Sequence, residues 1–352
     1  MTTLHVVVPE GVDDPVRPSG GNAYDRRICQ ELAGMGRPVQ IHQVTGSWPT
    51  PDPDAYAALA GVVARIPDRA VVLLDGLVAS TAPEVLVREA GRLRLVVLVH
   101  MPLGHRPRRR DARAREGAVL AAAAAVVTTS AWSRRRLLEL YALPDDRVHV
   151  AEPGVDTSAL AAGTAASAAL LCVAAVIPGK GHDVLLDALA AIADLSWDCL
   201  CVGSLDRDPA FAGELRRRVL DDGLGERVRF AGPCAARDLD RSYAAADLFV
   251  LPSRGETYGM VVTEALARGV PVVAADVGGV GEALGHGADG ARPGLLVPPD
   301  DPGALASALR AWLADADLRL AWRRAARERR ASLPEWSNTA SVFADVLTGA
   351  AR

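Results

Sequence analysis

The stretch "DLFVLPSRGETYGMVVTEALARGVPVVAAD" (residues 247–276) changes its pattern twice. A short apolar run ends at a polar loop with glycines, an amphipathic stretch follows, and a second β-branched run closes the segment. Neither apolar run alternates between apolar and polar residues, which is typical of parallel strands that are covered on both faces. The stretch therefore predicts a strand, a helix and a second strand of one parallel sheet.

Similar apolar runs recur along the 352 residues, and helical patterns separate most of them. The first series is LHVVVP (4–9), VQIHQV (39–44), VVLLDG (71–76), LVVLVH (95–100), AVVTTS (125–130) and RVHVAEP (147–153). The second series is LLCVAAV (170–176), DCLCVGS (198–204), RVRFAGP (227–233), DLFVLPS (247–253), VPVVAAD (270–276) and GLLVPP (294–299). Two consecutive series predict two doubly wound α/β domains, residues 1–156 and 157–330.

The join between the two series is the small-residue stretch "TSALAAGTAASAA" (157–169), which packs poorly and bends easily. The C-terminal pattern, roughly 318–348, contains no strand and can pack on either domain. Open parallel sheets bind ligands at the carboxyl ends of their strands, so two such domains meeting edge to edge predict a cleft between them.

Composition narrows the class of protein. Half of the residues are hydrophobic, so each domain can bury a core, and the net charge of −4 gives no overall attraction to nucleic acid or anionic membrane. The five cysteines show no zinc-type spacing, and Cys199 and Cys201 share one face of a predicted strand as small core residues. The N-terminus lacks a signal-peptide layout, and the longest apolar stretch is too short to span a membrane. We expect a soluble protein of the reducing cytoplasm.

The first candidate site is "PSGGNAYDRRI" (18–28), in which Gly20 and Gly21 open a helix. Paired glycines allow a ligand to approach the backbone, and free N–H groups at a helix start attract anions. Asn22 is placed to cap this helix. An ordinary flexible loop before a helix would show the same sequence pattern.

The second candidate is His100, at the carboxyl end of the run "LVVLVH" and before Pro102. A doubly wound fold displays ligand-facing side chains at this place, although a lone histidine is more often structural. The arginine-rich run "RPRRRDARAR" (106–115) follows. It can contact an anionic acceptor or a membrane surface, or it can be a solvated loop.

The third candidate is Lys180, which lies between two glycines where a strand leads into a helix, in "VAAVIPGKGHDVLLDALA" (173–190). A lysine at the positive end of a helix is unfavourable unless an anion neutralises its charge, and a phosphate is the obvious anion. The stretch is not a Walker A loop, because G-x-x-x-x-G-K-[ST] is absent.

The fourth candidate is the loop after the strand 247–253. Gly255 and Gly259 bracket Glu256, a helix is predicted to start near Tyr258, and Glu264 lies about one and a half turns inside it. The N–H groups of Thr257, Tyr258, Gly259 and Met260 are then unpaired beside Glu256. A carboxylate accepts hydrogen bonds, so Glu256 suits the hydroxyls of a sugar. Favourable carboxylates at a helix start are the plainer explanation.

One motif is a decoy. "GHGADG" (285–290) matches the dinucleotide fingerprint letter for letter, but it follows a predicted helix and leads into a loop. A nicotinamide-dependent oxidoreductase is therefore disfavoured. We find no metal site and predict no cofactor.

Taken together, these stretches resemble the retaining GT-B glycosyltransferases of family 4 over nearly the whole chain. The resemblance is most specific in residues 244–284, which carry the family's Glu-x7-Glu signature at Glu256 and Glu264. It implies two Rossmann-like domains facing across a cleft. It also implies a last helix, residues 331–352, that crosses back to the N-terminal domain.

The resemblance implies a role for each matched position. Glu256 and the amides of residues 257–260 would hold the sugar hydroxyls and phosphate of a donor, and Glu264 would hold the ribose. Lys180 would face the diphosphate, His100 would lie near the donor sugar, and Gly20 and Gly21 would close over the phosphates. His100, Lys180 and Glu256 are the expected catalytic residues. No metal is expected. The family usually has an arginine five residues before the lysine, where this chain has Ala175. Arg254 or an arginine from the N-terminal domain is a possible substitute.

The resemblance thus implies a retaining hexosyltransferase that moves a sugar from a nucleotide diphosphate sugar, UDP- or GDP-linked, to a hydroxyl acceptor of unknown identity, and we expect no nucleic-acid partner. Two alternatives stay open. One is a nucleotide-sugar epimerase or hydrolase of the same fold, and the other is a non-catalytic sugar-nucleotide binding protein, which Ala175 makes conceivable.

Overall fold

The computed structural model describes residues 3–12, 14, 19–105 and 110–351. Within these residues, all twelve predicted strands are present with small shifts at their ends. The strands, β1 to β12 in chain order, are Leu4–Pro9, Val39–Val44, Val71–Asp75, Arg94–Val99, Ala125–Thr128, Val148–Val150, Ala169–Val173, Asp198–Val202, Val228–Gly232, Leu248–Leu251, Val272–Ala275 and Gly294–Val297.

Helices lie between most of the strands and after the last one. In chain order, α1 to α14 are Gly20–Gly34, Pro53–Ala64, Gly76–Ala79, Pro83–Glu89, Arg110–Ala122, Ala131–Leu140, His182–Ala190, Pro209–Asp221, Ala236–Ala244, Met260–Ala267, Val280–Leu284, Pro302–Ala314, Ala316–Arg330 and Trp336–Ala350. The decoy stretch 285–290 is a loop after α11, as the sequence indicated.

The chain divides into two compact units. One contains the described residues of 3–12, 19–154 and 334–351, and the other contains Asp14 and residues 155–333. The predicted boundary after residue 156 lies two residues beyond this division. The segment that follows it, 155–164, has no regular secondary structure.

The first unit is built on a six-stranded parallel sheet in the order β2-β1-β3-β4-β5-β6. The order reverses between β1 and β3, which makes this the switch point of the sheet. Helix α14 belongs to this unit and packs on α1, where the Tyr24 ring lies 5.4 Å from the ring of Trp336 and 6.1 Å from that of Phe343. A Cβ at Gly154 would lie 2.3 Å from Trp336 N, so only glycine allows this close approach.

The second unit is built on a six-stranded parallel sheet in the order β12-β11-β10-β7-β8-β9, whose switch point lies between β7 and β10. Strand β10 shows why its sequence is continuously apolar. Leu248 and Val250 pack into one core cluster, and Phe249 and Leu251 pack into another, so both faces are covered. Cys199 and Cys201 are each 2% exposed in the first of these clusters, which confirms that they are core residues.

Candidate functional site

Two loops lie at the switch point of the second sheet. Neighbouring strands β7 and β10 are each followed by a loop at their carboxyl end. Lys180 lies in the loop after β7, and Glu256 lies in the loop after β10. Ligands of open parallel sheets bind in the crevice outside such a switch point, so these loops are the candidate ligand-binding loops of this unit.

Lys180 and Glu256 form an ion pair between these loops. Lys180 Nζ lies 2.6 Å from Glu256 Oε1, and the hydroxyl of Ser253 donates a hydrogen bond of 2.8 Å to the same oxygen. The side chains are 27% and 13% exposed. Ion pairs that keep contact with water contribute little net stability, about 1 kcal/mol or less. A ligand with a phosphate for Lys180 and hydroxyls for Glu256 can therefore separate them at low cost.

Lys180 is the only lysine of the chain, whose 38 other Lys or Arg positions are all arginine. A compact ammonium on a flexible stem differs from the planar arginine fork in how it reaches a phosphate. This composition is a signal for Lys180 that the motif-based interpretation missed.

The loop after β10 enters its helix later than predicted. Helix α10 begins at Met260 and not near Tyr258, and Gly259 is the residue before it, with a φ of +95°. The Tyr258 side chain is 2% exposed and packs in the core. The predicted row of helix amides therefore consists of a loop segment, Thr257 to Gly259, and one helical residue, Met260.

Gly278, which follows β11, holds the backbone of this loop and was missed at the sequence level. A Cβ at Gly278 would lie 1.6 Å from Glu256 O, and its φ of +57° also favours glycine. Gly279 N–H donates a hydrogen bond of 3.2 Å to the same oxygen. Of the two glycines that bracket Glu256, only Gly259 has a positive φ.

Glu264 has different partners from Glu256. The hydroxyl of Tyr243 donates a hydrogen bond of 2.9 Å to Glu264 Oε2, and an Arg268 N–H donates to the Glu264 backbone oxygen at 2.9 Å. Burial raises the pKa of the Glu264 carboxyl, against the effects of Tyr243 and Arg268. The two glutamates thus belong to separate networks, which is unlike a pair of acid and base carboxylates at one reaction centre.

Arg254 is already engaged. Its Nη1 and Nη2 donate to Asp183 at 2.9 and 2.7 Å, its Nε donates to Asp300 at 2.5 Å, and its backbone N–H donates to Gly179 O at 2.9 Å. The hydrogen bonds to Asp183 are the main reason that its pKa is raised. In this arrangement Arg254 ties the two loops together, and its role as a substitute for the arginine expected at Ala175 stays a prediction.

A histidine and two carboxylates cluster beside the switch point of the first sheet. His100 directly follows β4, Asp75 ends β3, and Asp25 lies on α1. His100 Nε2 lies 2.8 Å from Asp25 Oδ1 and 3.7 Å from Asp75 Oδ2, and each carboxylate side chain is 4% exposed. Sequence reasoning named His100 and missed both partners, although Asp75 also stands at a strand's carboxyl end.

The cluster raises the pKa values of Asp75 and His100. Burial and the charge of Asp25 raise the pKa of Asp75 to about 7. Burial alone would lower the pKa of His100, but the charge of Asp25 and its hydrogen bond raise that pKa to about 8. Perturbed groups at a strand end are typical of functional sites.

Helix α1 approaches His100 closely through its first residues. A Cβ at Gly21 would lie 3.3 Å from His100 Cδ2, and the ring of Tyr24 meets the imidazole edge-on at 5.3 Å. Gly20 is the first residue of the helix. The cap is Ser19, whose side chain accepts a hydrogen bond from Asn22 N, so the prediction that Asn22 is the cap was wrong. Asn22 lies inside the first turn, and its backbone N–H donates a hydrogen bond, whereas the side chain of a cap residue must accept one.

Asp25, Asp75 and His100 also form the one group within the described residues whose ligand atoms lie close enough to hold a metal ion. The absence of a metal site stays a prediction.

The arginine-rich run falls partly outside the described residues, which exclude 106–109. Of its described members, Arg115 donates to Glu84 and to Thr81 O, and Arg113 donates to Leu140 O. These two arginines have structural partners. Within the described residues, no helix is both long and apolar enough to cross a membrane.

Family models match both parts of the chain. A model described as "Glycosyltransferase Family 4" matches residues 18–159, and one described as "Glycosyl transferases group 1" matches residues 167–315.

Among curated proteins, the chain is similar to enzymes named D-inositol 3-phosphate glycosyltransferase. The protein of Jonesia denitrificans is 38% identical over 222 residues, which cover 57% of this chain and 51% of the relative. A protein of Catenulispora acidiphila is 37% identical over 245 residues, which cover 64% and 57%. The chain thus spans just over half of the length of these relatives.

Solved structures show the same fold. Sucrose-phosphate synthase from Thermosynechococcus elongatus superposes with a TM-score of 0.78 at 22% identity, over 98% of each chain. Anabaena Alr3699/HepE, solved with UDP-glucose, superposes with a TM-score of 0.75 at 20% identity, over 98% of this chain and 99% of that one.

Proposed function

The chain belongs to the GT-B glycosyltransferases of family 4, and from this premise we propose that it transfers a sugar from a nucleotide diphosphate sugar to a hydroxyl acceptor. The observation that carries the proposal is the Lys180–Glu256 pair at the carboxyl ends of β7 and β10. A cation for a diphosphate and a carboxylate for sugar hydroxyls meet there. This chemistry fits a nucleotide sugar better than it fits a nicotinamide cofactor.

The donor would take over the contacts that Lys180 and Glu256 make with each other. Lys180 would bind the diphosphate, Glu256 would accept hydrogen bonds from sugar hydroxyls, and Glu264 would accept them from the ribose. Backbone N–H groups of residues 257–260 would add donors to phosphate, and Gly20 and Gly21 would close over the phosphates. Burial raises the pKa of the Glu264 carboxyl. Ribose hydroxyls would donate hydrogen bonds to its oxygens, which can accept them.

We propose the following transfer step for this arrangement. The bond between the anomeric carbon and the diphosphate oxygen breaks, and its electron pair stays on the diphosphate. Lys180 and the amides stabilise that charge, which is the kind of interaction that lowers a barrier most. The acceptor oxygen bonds to the anomeric carbon on the same face, with retention of configuration, and its proton passes to the leaving phosphate. We propose that His100 contacts the transferred sugar.

The comparisons suggest which compounds to test. The Anabaena neighbour was solved with UDP-glucose, and the curated relatives are named for D-inositol 3-phosphate. We propose a UDP- or GDP-sugar as donor and a hydroxyl acceptor, with a phosphorylated polyol as the first candidate. We further propose that no metal ion is needed and that the reaction takes place in the cytoplasm.

A non-catalytic sugar-nucleotide binding protein is the second candidate. It is favoured by Ala175, which leaves one position of the expected phosphate clamp without a cation, and by the engagement of Arg254 with Asp183 and Asp300. Such a protein would bind the donor and transfer nothing.

One experiment separates these functions. UDP-, GDP- and ADP-sugars are screened for thermal stabilisation, because a ligand that binds only the folded state raises the melting temperature. The best donor is then incubated with inositol phosphates, with and without EDTA, and product and nucleoside diphosphate are quantified. We expect acceptor-dependent release of the diphosphate and an α-linked product from an α-linked donor. Release without acceptor would indicate a hydrolase, and stabilisation without any product would indicate a binding protein.

A further inference from the structure

The two oxygens of the Glu264 carboxylate, on α10 of the second unit, have different surroundings. The hydroxyl of Tyr243 donates a hydrogen bond of 2.9 Å to Glu264 Oε2. Among the described residues, no side chain or backbone group donates a hydrogen bond to Glu264 Oε1, and this oxygen keeps contact with solvent. Oε2 is therefore engaged inside the protein, whereas Oε1 can accept a hydrogen bond from a ligand.

We propose that Tyr243 is a positioning residue for Glu264: its hydroxyl fixes Oε2 and leaves Oε1 to accept a hydrogen bond from a ribose hydroxyl of the nucleotide. This inference rests on the proposed function, in which Glu264 holds the ribose. It adds that the preference for ribose over a sugar without these hydroxyls depends on Tyr243. The Tyr243 side chain is fully buried, so it acts through Glu264 and does not touch the nucleotide itself.

The ring of Tyr243 is held firmly enough to serve as a support. Tyr243 lies near the end of α9, and its ring stacks on that of Phe249 in β10, with 6.0 Å between the ring centroids. The guanidinium carbon of Arg268 lies 4.6 Å from the centroid of the Tyr243 ring. Arg268 is fixed in turn by hydrogen bonds to the Glu264 backbone oxygen and to Asp240. These contacts set the place of the hydroxyl before a ligand arrives.

The Tyr243 hydroxyl acts as a donor to Glu264. Burial and the charge of Glu264 raise the pKa of Tyr243 well above its usual value, so the hydroxyl keeps its proton. Its contact with Val261 O is longer, at 3.4 Å, which makes Glu264 Oε2 the principal acceptor. The hydrogen bond also opposes the rise that burial causes in the pKa of Glu264, and so favours the charged carboxylate.

Fixing the carboxylate in advance favours ligand binding. A side chain that is ordered only when the ligand binds adds an entropic cost to binding, and a side chain that is already ordered avoids it. Since one oxygen of Glu264 is tied to Tyr243, the rotation of the carboxylate is restricted in the ligand-free protein. The hydroxyl of Tyr243 should therefore strengthen binding of nucleotides that have ribose hydroxyls, and of those nucleotides alone.

A purely structural role is the rival explanation, because a buried tyrosine stacked on Phe249 also stabilises the core. Tyr243→Phe separates the two explanations, since it keeps the ring and removes only the hydroxyl. If the hydroxyl merely stabilises the fold, its loss affects all nucleotides alike. If it positions Glu264, its loss weakens only nucleotides with ribose hydroxyls.

The test compares dissociation constants of UDP and GDP with those of their 2′,3′-dideoxy analogues, measured by isothermal titration calorimetry. We expect the wild type to bind the preferred ribonucleotide at least about tenfold more tightly than its dideoxy analogue, because the analogue leaves a charged acceptor without its hydrogen bonds. In Tyr243→Phe, binding of the ribonucleotide should weaken about fivefold, and binding of the dideoxy analogue should change by less than about twofold.

A double-mutant cycle shows whether Tyr243 acts through Glu264. In Glu264→Ala the ribonucleotide should lose its advantage over the analogue, and adding Tyr243→Phe to this variant should have no further effect on binding. Tyr141→Phe is the matched control. Tyr141, in the first unit, donates a hydrogen bond of 2.5 Å to the buried carboxylate of Glu116, and its loss should leave the binding of all four nucleotides unchanged.

Kinetics provide a second readout. In Tyr243→Phe the KM of the nucleotide sugar should rise about fivefold with kcat nearly unchanged, because a ribose contact is the same before and during the transfer step. A fall in kcat with an unchanged KM overturns the positioning role. So does an equal loss of binding for ribonucleotide and analogue, or unchanged ribonucleotide binding in Tyr243→Phe.

The outcomes also separate this inference from the proposed function. A wild type that binds a ribonucleotide and its dideoxy analogue equally well has no ribose contact for Tyr243 to support, which overturns the inference while nucleotide binding stands. A wild type that binds none of the nucleotides overturns the proposed function and the inference together.

Discussion

Beside its switch point between β1 and β3, the first sheet holds a histidine between two buried carboxylates, whereas the second sheet, between β7 and β10, holds a lysine paired with one carboxylate. The two carboxylates of the first group are each 4% exposed, and the pKa values of Asp75 and His100 are raised. In the second group, Lys180 and Glu256 are partly exposed and pair directly with each other.

The difference indicates different tasks for the same topological position. A histidine between two nearly buried carboxylates is suited to being held in one orientation. A partly exposed ion pair is suited to exchanging its internal contact for a ligand, because it loses little when it opens. On this account the second unit binds the donor.

The largest effect is expected from breaking the ion pair of the second unit. Lys180→Ala and Glu256→Ala should each lower transfer by at least about 100-fold, since each removes a group that stabilises charge or holds the sugar. The fold should persist because both side chains are partly exposed. The surface pair Arg310–Asp194 offers the control variant Arg310→Ala, which should keep near-normal turnover. Turnover near the wild-type value in Lys180→Ala would contradict the assignment.

A second large effect concerns the glycines that support the two groups. Gly278→Ala places a Cβ 1.6 Å from Glu256 O at a positive φ, so we expect a loss of roughly 2 kcal/mol or more in the free energy of unfolding. The nearest atoms to the Cβ of Gly21→Ala belong to the His100 ring, at 3.3 Å and beyond, so this variant should reduce activity more than stability. Gly34→Ala has no atom within 4 Å of the new Cβ and is the control. Urea unfolding checks the order, which equal stabilities of the first two variants would contradict.

A substitution that is expected to strengthen donor binding tests the role of the second unit. Ala175→Arg introduces an arginine five residues before Lys180, as in the family, and a charged hydrogen bond to phosphate should lower the donor KM about tenfold. Ala175→Gln is the neutral control of similar length. Equal KM values for the two variants would show that the missing arginine has no consequence for donor binding.

The last prediction concerns the pH dependence of stability in the first unit. The folded pKa of Asp75 is raised from 3.8 to about 7, and that of His100 from 6.5 to about 8, so the folded state retains protons that the unfolded chain releases. Stability should therefore fall as the pH rises from about 4 to 8. Asp75→Asn should flatten the part of this dependence between pH 4 and 7. Unfolding curves of wild type and variant that run parallel over this range would contradict the shift.

The strands were the most predictable part of the fold. Continuous apolar runs such as Phe249–Leu251 indicate that both faces of a strand are buried, and this pattern is visible in the local sequence. Helix starts were less predictable. Ser19 and Asn22 are both good capping residues, and Tyr258 gave no sign that a left-handed Gly259 would delay α10 to Met260.

The site residues divide in the same way. Lys180 and Glu256 were recognisable because each stands beside glycines at a strand end. The sequence alone could not pair Asp25 with His100, since 75 residues separate them. The fold brings them together because α1, which carries Asp25, follows β1, and His100 follows β4. Asp75 could have been found, because it stands at the carboxyl end of β3, as His100 stands at the carboxyl end of β4.

The central claim is that Lys180 is the cation that binds the donor diphosphate, and the composition of the chain allows a direct measurement. Lys180 is the only lysine, so an amine-acylating reagent such as sulfo-NHS-acetate can react with its side chain and with the α-amino group, which serves as internal reference. The two acylation rates are measured by peptide mass spectrometry with and without the nucleotide sugar that stabilises the protein most. The account predicts at least a tenfold slower reaction of Lys180 at saturating donor and an unchanged α-amino group. An unchanged Lys180 rate at a donor concentration that raises the melting temperature would contradict it.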